Sequence, residues 1–190
     1  MMPRKKRKPE ELIGASKHLK YEVTMMIHAA QWLPNKVIAE KGHFVFLECF
    51  VLHARSLIDF LFPRKRSRDR ENDVFAEDYF ASHNEWEGIR GPVVPFLEET
   101  RSRADSWLAH LSYKRLREKV DPEWKVGDIA NSILDLVLVF ERGVDKKFLA
   151  GSILPTGAAH LPRGLTGSTK SIESVNTSSV RSNIYYGKVE

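Results

Sequence analysis

Residues 43–62, HFVFLECFVLHARSLIDFLF, decide the fold of this chain. Apolar side chains cover almost every side of a helix drawn through this segment, which is typical of the central, most buried helix of a bundle. The helix is expected to begin at about Lys36 or His43 and to end at Pro63, which cannot continue it. Because polar residues interrupt the run, no stretch of about 18 apolar residues exists and no membrane span is expected. The interruptions are Glu48, His53, Arg55 and Asp59.

Further helices are predicted on both sides of this segment. Apolar residues recur at helical spacing from Glu10 to Leu33, and Pro34 ends that helix. A third helix is expected from about Pro95 to Lys119. No stretch alternates with a period of two for long enough to indicate a sheet.

A fourth helix is predicted to follow Asp121-Pro122-Glu123. Aspartate is a good N-cap, proline suits the first helical position, and glutamate is favourable in the first turn. This helix should end near Ala150-Gly151, and one of its faces is apolar. The apolar positions are Val126, Ile129, Ile133, Leu136, Val137, Phe140 and Val144.

Residues 63–95 predict a long irregular connection that carries one short helix. Its aromatic residues are expected to pin it to the body of the protein. Connections of this length without structure are uncommon in compact domains and are often functional. They are Phe75, Tyr79, Phe80 and Trp86. The predicted fold class is therefore all-α: a four-to-five-helix bundle with a long irregular connection and a disordered C-terminal tail.

The composition divides the chain into three parts. Residues 1–9 form a basic, flexible N-terminus, and residues 10–150 form the helical bundle domain. After Gly151 the sequence changes to serine, threonine, glycine and asparagine with scattered charge. A segment of this composition cannot bury enough apolar area to offset the entropy lost on ordering. Residues 151–190 are therefore predicted to be a disordered polar tail.

Three charged residues stand on one stripe of the central helix. Glu48, Arg55 and Asp59 are separated by seven and four residues, which places them on one face. Charges in a buried helix need a partner. Arg55 and Asp59 are spaced to pair with each other. Glu48 should meet a donor from another helix.

The third helix supplies candidate donors. Arg103, Trp107 and His110 share a face, and Lys114 continues it. We call the predicted meeting of these two faces, with Asp105 as a further supporting acid, the polar seam. Two interpretations remain open at this point: a buried ion-pair network that sets the register of the helices, or a functional pocket in which pKa values are tuned.

Basic residues are clustered in two places. One cluster is 4–8, RKKRK, flanked by prolines, a pattern that also resembles a nuclear import signal. The other comprises Arg64, Lys65, Arg66, Arg68 and Arg70. Such clusters attract phosphate backbones; the alternative is a solvated tail and a solvated loop that aid solubility.

The histidines and the single cysteine indicate no metal site and no cofactor. Cys49 lies in an apolar run and is expected to be a small buried side chain, and no metal-ligand spacing joins the histidines to carboxylates or cysteine. His53, on a different side of its helix from Glu48, is expected to be a satisfied core or rim histidine. With one cysteine and no signal peptide, a cytoplasmic location is expected, with the nucleus as the alternative in a eukaryote.

The segment Arg103-Ala-Asp-Ser-Trp-Leu-Ala-His110 carries an arginine and a histidine separated by six residues. It resembles the signature of the HEPN superfamily (higher eukaryotes and prokaryotes nucleotide-binding). Residues 52–60 and 109–112 are similar to segments of bacterial HEPN-like proteins of unassigned role. The resemblance covers about residues 10–150. Where the superfamily has a polar residue after the arginine this chain has Ala104, and Asp105 is the candidate for that role.

The resemblance implies a metal-independent ribonuclease that acts as a dimer. His110 would assist proton transfer at the RNA, and Arg103 would stabilise charge on the phosphate. The basic loop at 64–70 would hold the RNA backbone. The alternative is a non-catalytic helical module that binds a partner, a nucleotide or RNA, with a structural charge network inside. The sequence leaves enzyme and non-enzyme open, with RNA and a second copy of the chain as the expected partners.

Overall fold

A computed structural model of the chain describes residues 6–34, 42–64, 70–109, 113, 123–156 and 160–167. It contains five α-helices: α1 (Pro9–Trp32), α2 (His43–Leu61), α3 (His83–Arg90), α4 (Pro95–Ala104) and α5 (Val126–Gly143). A π-helical turn, Asp105–Ala109, continues α4, and two short 3-10 helices span Ala76–Tyr79 and Lys146–Phe148. The predicted all-α class is confirmed. Among these residues the only β feature is one antiparallel bridge between Trp124 and Gly167.

The central position predicted for residues 43–62 is confirmed, since α2 packs against α1, α4 and α5. Its inner residues form the middle of the hydrophobic core. The outer face differs from the prediction, because Val45 and Leu52 are 65% and 44% exposed. In the described part of the chain, no helix is both long and apolar enough to cross a membrane.

The first helix begins and ends close to the predicted positions. Pro9 occupies its first turn, and the Glu11 carboxylate accepts a hydrogen bond of 2.8 Å from the Lys8 amide. Both features satisfy or remove amide groups that have no partner inside a helix. The helix ends at Trp32, two residues before Pro34.

The connection at 63–95 is more regular than predicted. Besides the 3-10 helix it carries α3, which begins after Ser82 and ends at Gly91, a residue with φ of +68°. The Ser82 hydroxyl accepts from the Glu85 amide at 3.2 Å, and the Glu85 carboxylate accepts from the Ala81 amide at 2.9 Å. This reciprocal cap stabilises the start of the helix. Because the segment is polar, its hydrophobic pattern does not indicate a helix.

The predicted aromatic anchors pack into the core around Phe140 of α5. Its ring lies 5.2 Å from Tyr79 and 5.7 Å from Trp86, both edge-on. Two hydrogen bonds fix their polar ends: Trp86 donates to the Leu61 carbonyl and Tyr79 to the Leu12 carbonyl, each at 2.9 Å. The connection is thereby tied to the ends of α1 and α2.

The fourth predicted helix is shorter than expected at both ends. Asp121 and Pro122 lie outside the described residues, and α5 begins only at Val126 because Trp124 is paired with Gly167 in the β-bridge. At the other end the helix stops at Gly143 rather than near residue 150. Val144 is extended and buried, and Asp145 then caps the 3-10 helix.

The packed body extends past residue 151, where the sequence predicted a disordered tail to begin. Ile153 and Leu161 are buried. The Asn131 side chain donates to the Leu161 carbonyl and accepts from its amide, at 2.9 and 2.7 Å. These contacts, together with the bridge between Trp124 and Gly167, hold residues 151–156 and 160–167 against the bundle. Residues 168–190 of that prediction lie outside the described part.

Trp86→Phe tests how the connection is anchored. The substitution leaves the Leu61 carbonyl without its donor and opens a cavity, so we expect a loss of about 2 kcal/mol or more in the free energy of unfolding. Ile89→Ala in the same helix removes a side chain that is 41% exposed and should cost far less. Urea denaturation of both variants measures the difference, and equal losses would contradict the anchoring role.

Candidate functional site

The charged residues of α2 meet α4, but not the face of α4 that the sequence predicted. Arg55 and Asp59 lie 3.8 Å apart, as expected from their spacing. Their partners on this side are Arg101 and Asp105, of which Asp105 belongs to the predicted seam, whereas Arg103 is not a partner. Arg101 and Asp105 are four residues apart and share one side of the helix, whereas Arg103 points elsewhere.

Six side chains form what we call the arginine–carboxylate cluster. Three are arginines and three are acids, so their formal charges balance. Two come from α2, one from the residues just after it, and three from α4 and the following π-helical turn. They are Arg55, Asp59, Arg64, Glu98, Arg101 and Asp105.

Arg101 lies at the centre of the cluster, with a side chain only 4% exposed. It donates to Asp59 at 3.1 Å and to the Phe62 carbonyl at 2.6 Å, and it also pairs with Glu98. Its Nε atom is buried and has no acceptor among the described residues. A buried guanidinium needs this degree of compensation, because an unpaired charge in the interior is strongly destabilising.

Asp105 joins the end of α2 to the π-helical turn. It accepts from Arg55 and, at 2.9 Å, from Arg64. Burial by itself would raise the pKa of Asp105, but the hydrogen bonds from the two arginines outweigh burial and hold this pKa below its ordinary value. The same contact raises the pKa of Arg64 against the effect of its own burial. Both groups are therefore charged near neutral pH.

Two residues of the predicted polar seam lie elsewhere. Glu48 is exposed and forms no ion pair with the described residues, so the predicted donor from another helix is absent there. Arg103 stacks on Trp124 with 5.0 Å between the guanidinium and the ring, and it lies 3.8 Å from Glu99. His110 lies outside the described residues, so its pairing with Arg103 stays a prediction.

The basic loop is described only at its two ends. Arg64 is occupied by Asp105 and Glu98, and Arg70 lies 2.8 Å from Asp73. Both guanidinium groups therefore already have carboxylate partners. Lys65, Arg66 and Arg68 lie outside the described residues, and their role in RNA binding stays a prediction.

An open cleft of about 460 Å³ runs between α1 and α2. His53 bonds Glu22 of α1 through Nδ1 at 2.7 Å, which agrees with the prediction of a satisfied rim histidine. Cys49 is half-buried, and burial, together with the charge of Glu22, raises its pKa. A raised pKa disfavours the thiolate, so Cys49 is not an activated nucleophile. The lining residues are Glu22, Val45, Glu48, Cys49, Leu52, His53, Arg55 and Ser56.

Three members of the cluster were not predicted from the sequence to belong to one network: Arg101, Glu98 and Arg64. One signal was available, because Glu98, Arg101 and Asp105 follow each other at spacings of three and four residues. Among the residues that the structure describes, no group of histidine, cysteine and carboxylate side chains is arranged to hold a metal ion.

Comparison with known proteins identifies no relative: no family model, no curated protein and no solved structure matches the chain. The structure shows an all-helical fold, and the geometry of the chain itself is the basis for a proposed function.

Asp105→Asn should destabilise the protein in a pH-dependent way. Because the folded-state pKa is lowered, the carboxylate contributes stability above its ordinary pKa of about 3.9 and loses it as the pH falls toward the folded-state value. We expect a cost of about 1–3 kcal/mol at pH 7 that shrinks steadily below about pH 4. Urea denaturation across this pH range measures it, with Glu99→Gln as an exposed control. A cost that stays constant with pH would contradict the assignment.

Proposed function

We propose that this chain is a non-catalytic helical interaction module that self-associates through the outer face of α2. The observation that carries the proposal is the exposure of Val45 and Leu52 on the central helix of the bundle, where an isolated domain would be expected to cover apolar side chains. They are one heptad apart and therefore share a face. Tyr21 of α1, 54% exposed, lies beside them against His53.

The arginine–carboxylate cluster supports a structural interior rather than a catalytic pocket. Every one of its charged groups has an opposite charge beside it, and its most buried member, Arg101, is surrounded by acceptors. A network of this kind sets the register of two helices. With those groups paired, the cleft and its apolar rim are a surface of the described residues that is open to a partner.

The outer face of α2 is also self-complementary. Glu48 and Arg55 both line the cleft and lie on either side of Leu52. If two copies pack α2 against α2 in opposite directions with the two-fold axis near Leu52, Glu48 of each copy lies beside Arg55 of the other. A two-fold interface requires this kind of patch, in which one surface carries both halves of each contact.

Leu52→Glu tests self-association. We expect the wild-type protein to sediment as a dimer. In the variant, a carboxylate at the two-fold axis would face the same carboxylate of the other copy in a desolvated contact. The variant should therefore associate at least tenfold more weakly and sediment as a monomer. Glu48→Arg should also weaken the dimer, because two arginines then face each other. Analytical ultracentrifugation over a range of concentrations measures both.

Val74→Glu is the matched control, since Val74 is 42% exposed and belongs to the connection rather than to α2. Circular dichroism and thermal unfolding should show that all three variants keep the wild-type fold. A monomeric wild-type protein would contradict the proposal, as would equal dimerisation of Leu52→Glu and wild type.

The ribonuclease suggested by the HEPN resemblance is the competing function. A non-catalytic module predicts that the purified wild-type protein, in the presence of a chelator, leaves single-stranded RNA intact and that His110→Ala behaves in the same way. Gel analysis of labelled RNA measures this. Cleavage by the wild type that is lost in His110→Ala would overturn the non-catalytic proposal and assign His110 to catalysis.

A further inference from the structure

A second, smaller pocket lies on another side of α1, away from the cleft. It has a volume of about 170 Å³ and is formed between α1 and residues 150–153. We call it the lysine pocket. Its lining residues are Ser16, Lys17, Lys20, Ala150, Gly151, Ser152 and Ile153, and no carboxylate is among them.

We infer that the lysine pocket binds a phosphate monoester group. Lys17 and Lys20 lie one turn apart on α1, so their ammonium groups are on the same side of the helix. Neither forms an ion pair with a carboxylate in the described part of the chain. Two cations that converge on a concave site without an acid attract an anion, and a dianion balances both charges.

The opposite wall of the pocket is a segment whose successive amides have no acceptor within the described chain. The backbone N–H groups of Gly151, Ser152 and Ile153 have no hydrogen-bond acceptor among the described residues. Successive amides of this kind form concave anion sites in proteins. Gly151 has φ of +142°, a conformation that L side chains rarely adopt, so the course of this wall depends on a glycine.

The wall is held in place at both ends. At one end the buried Ser16 hydroxyl donates to the Ile13 carbonyl at 2.7 Å and accepts from the Ala150 amide at 2.9 Å. At the other end the Ile153 side chain is 1% exposed within the core. Pre-organised donors lose little entropy when a ligand binds, which is the property of a built site.

The charges beside the pocket do not neutralise it. Glu141 reaches this segment, but its carboxylate lies 3.4 Å from the Leu154 amide and does not line the pocket. Lys147 is paired with Asp145 at 2.6 Å. A water molecule occupies about 30 Å³, so the pocket holds only a few water molecules. A volume of this size suits one tetrahedral anion.

The test is calorimetric titration of the full chain with inorganic phosphate, at constant ionic strength set by chloride. Wild type should bind one equivalent with saturation, and Lys17→Gln/Lys20→Gln should bind at least tenfold more weakly. Lys146→Gln/Lys147→Gln is the matched control, because it removes the same charge from the neighbouring 3-10 helix and leaves the lining intact. It should bind as wild type does.

Two further arms identify the ligand chemistry. Dimethyl phosphate carries one negative charge and represents the diester of a nucleic acid backbone. Acetate represents a carboxylate. Both should bind at least tenfold more weakly than phosphate. Gly151→Ala keeps both lysines and should weaken phosphate binding by disturbing the amides. Equal binding by all variants, the absence of saturable phosphate binding by wild type, or equal affinity for dimethyl phosphate would each overturn the inference.

Discussion

The buried guanidinium of Arg101 is the interaction on which the arrangement of the helices depends. A charge with a side chain 4% exposed has to be balanced where it lies, and here the Phe62 carbonyl and the carboxylates of Asp59 and Glu98 balance it. These contacts join the end of α2 to α4. They also fix the rotation of α4, because Asp105, one turn beyond Arg101, is thereby directed at Arg55.

Two of the surfaces that remain open to solvent beside this paired interior are bordered by α1: the cleft at Glu22 and the lysine pocket at Lys20. The two residues are two positions apart and so about 200° apart around the helix. The surfaces therefore lie on different sides of α1, and a substitution at one does not alter the contacts of the other.

The strongly periodic helices could be predicted from the sequence, and the orientation of α4 could not. Residues 43–61 and α1 carry enough apolar side chains to define their buried faces. In α4 the buried apolar residues are only Leu97 and Ala104, so its pattern does not indicate which side faces the core. Arg101 and Arg103 are then equivalent candidates in the sequence. The choice between them is made by the position of Asp59 on another helix, which is tertiary information.

The π-helical turn at Asp105–Ala109 departs from the regular α-helical geometry on which the predicted shared face of Arg103 and His110 is based. A spacing of seven residues brings two side chains together only where each residue turns the helix by about 100°. In a π-helical turn the hydrogen bond reaches one residue further than in an α-helix, so each residue turns the chain by less and the rotation falls short. His110 lies outside the described residues, and its pairing with Arg103 stays a prediction.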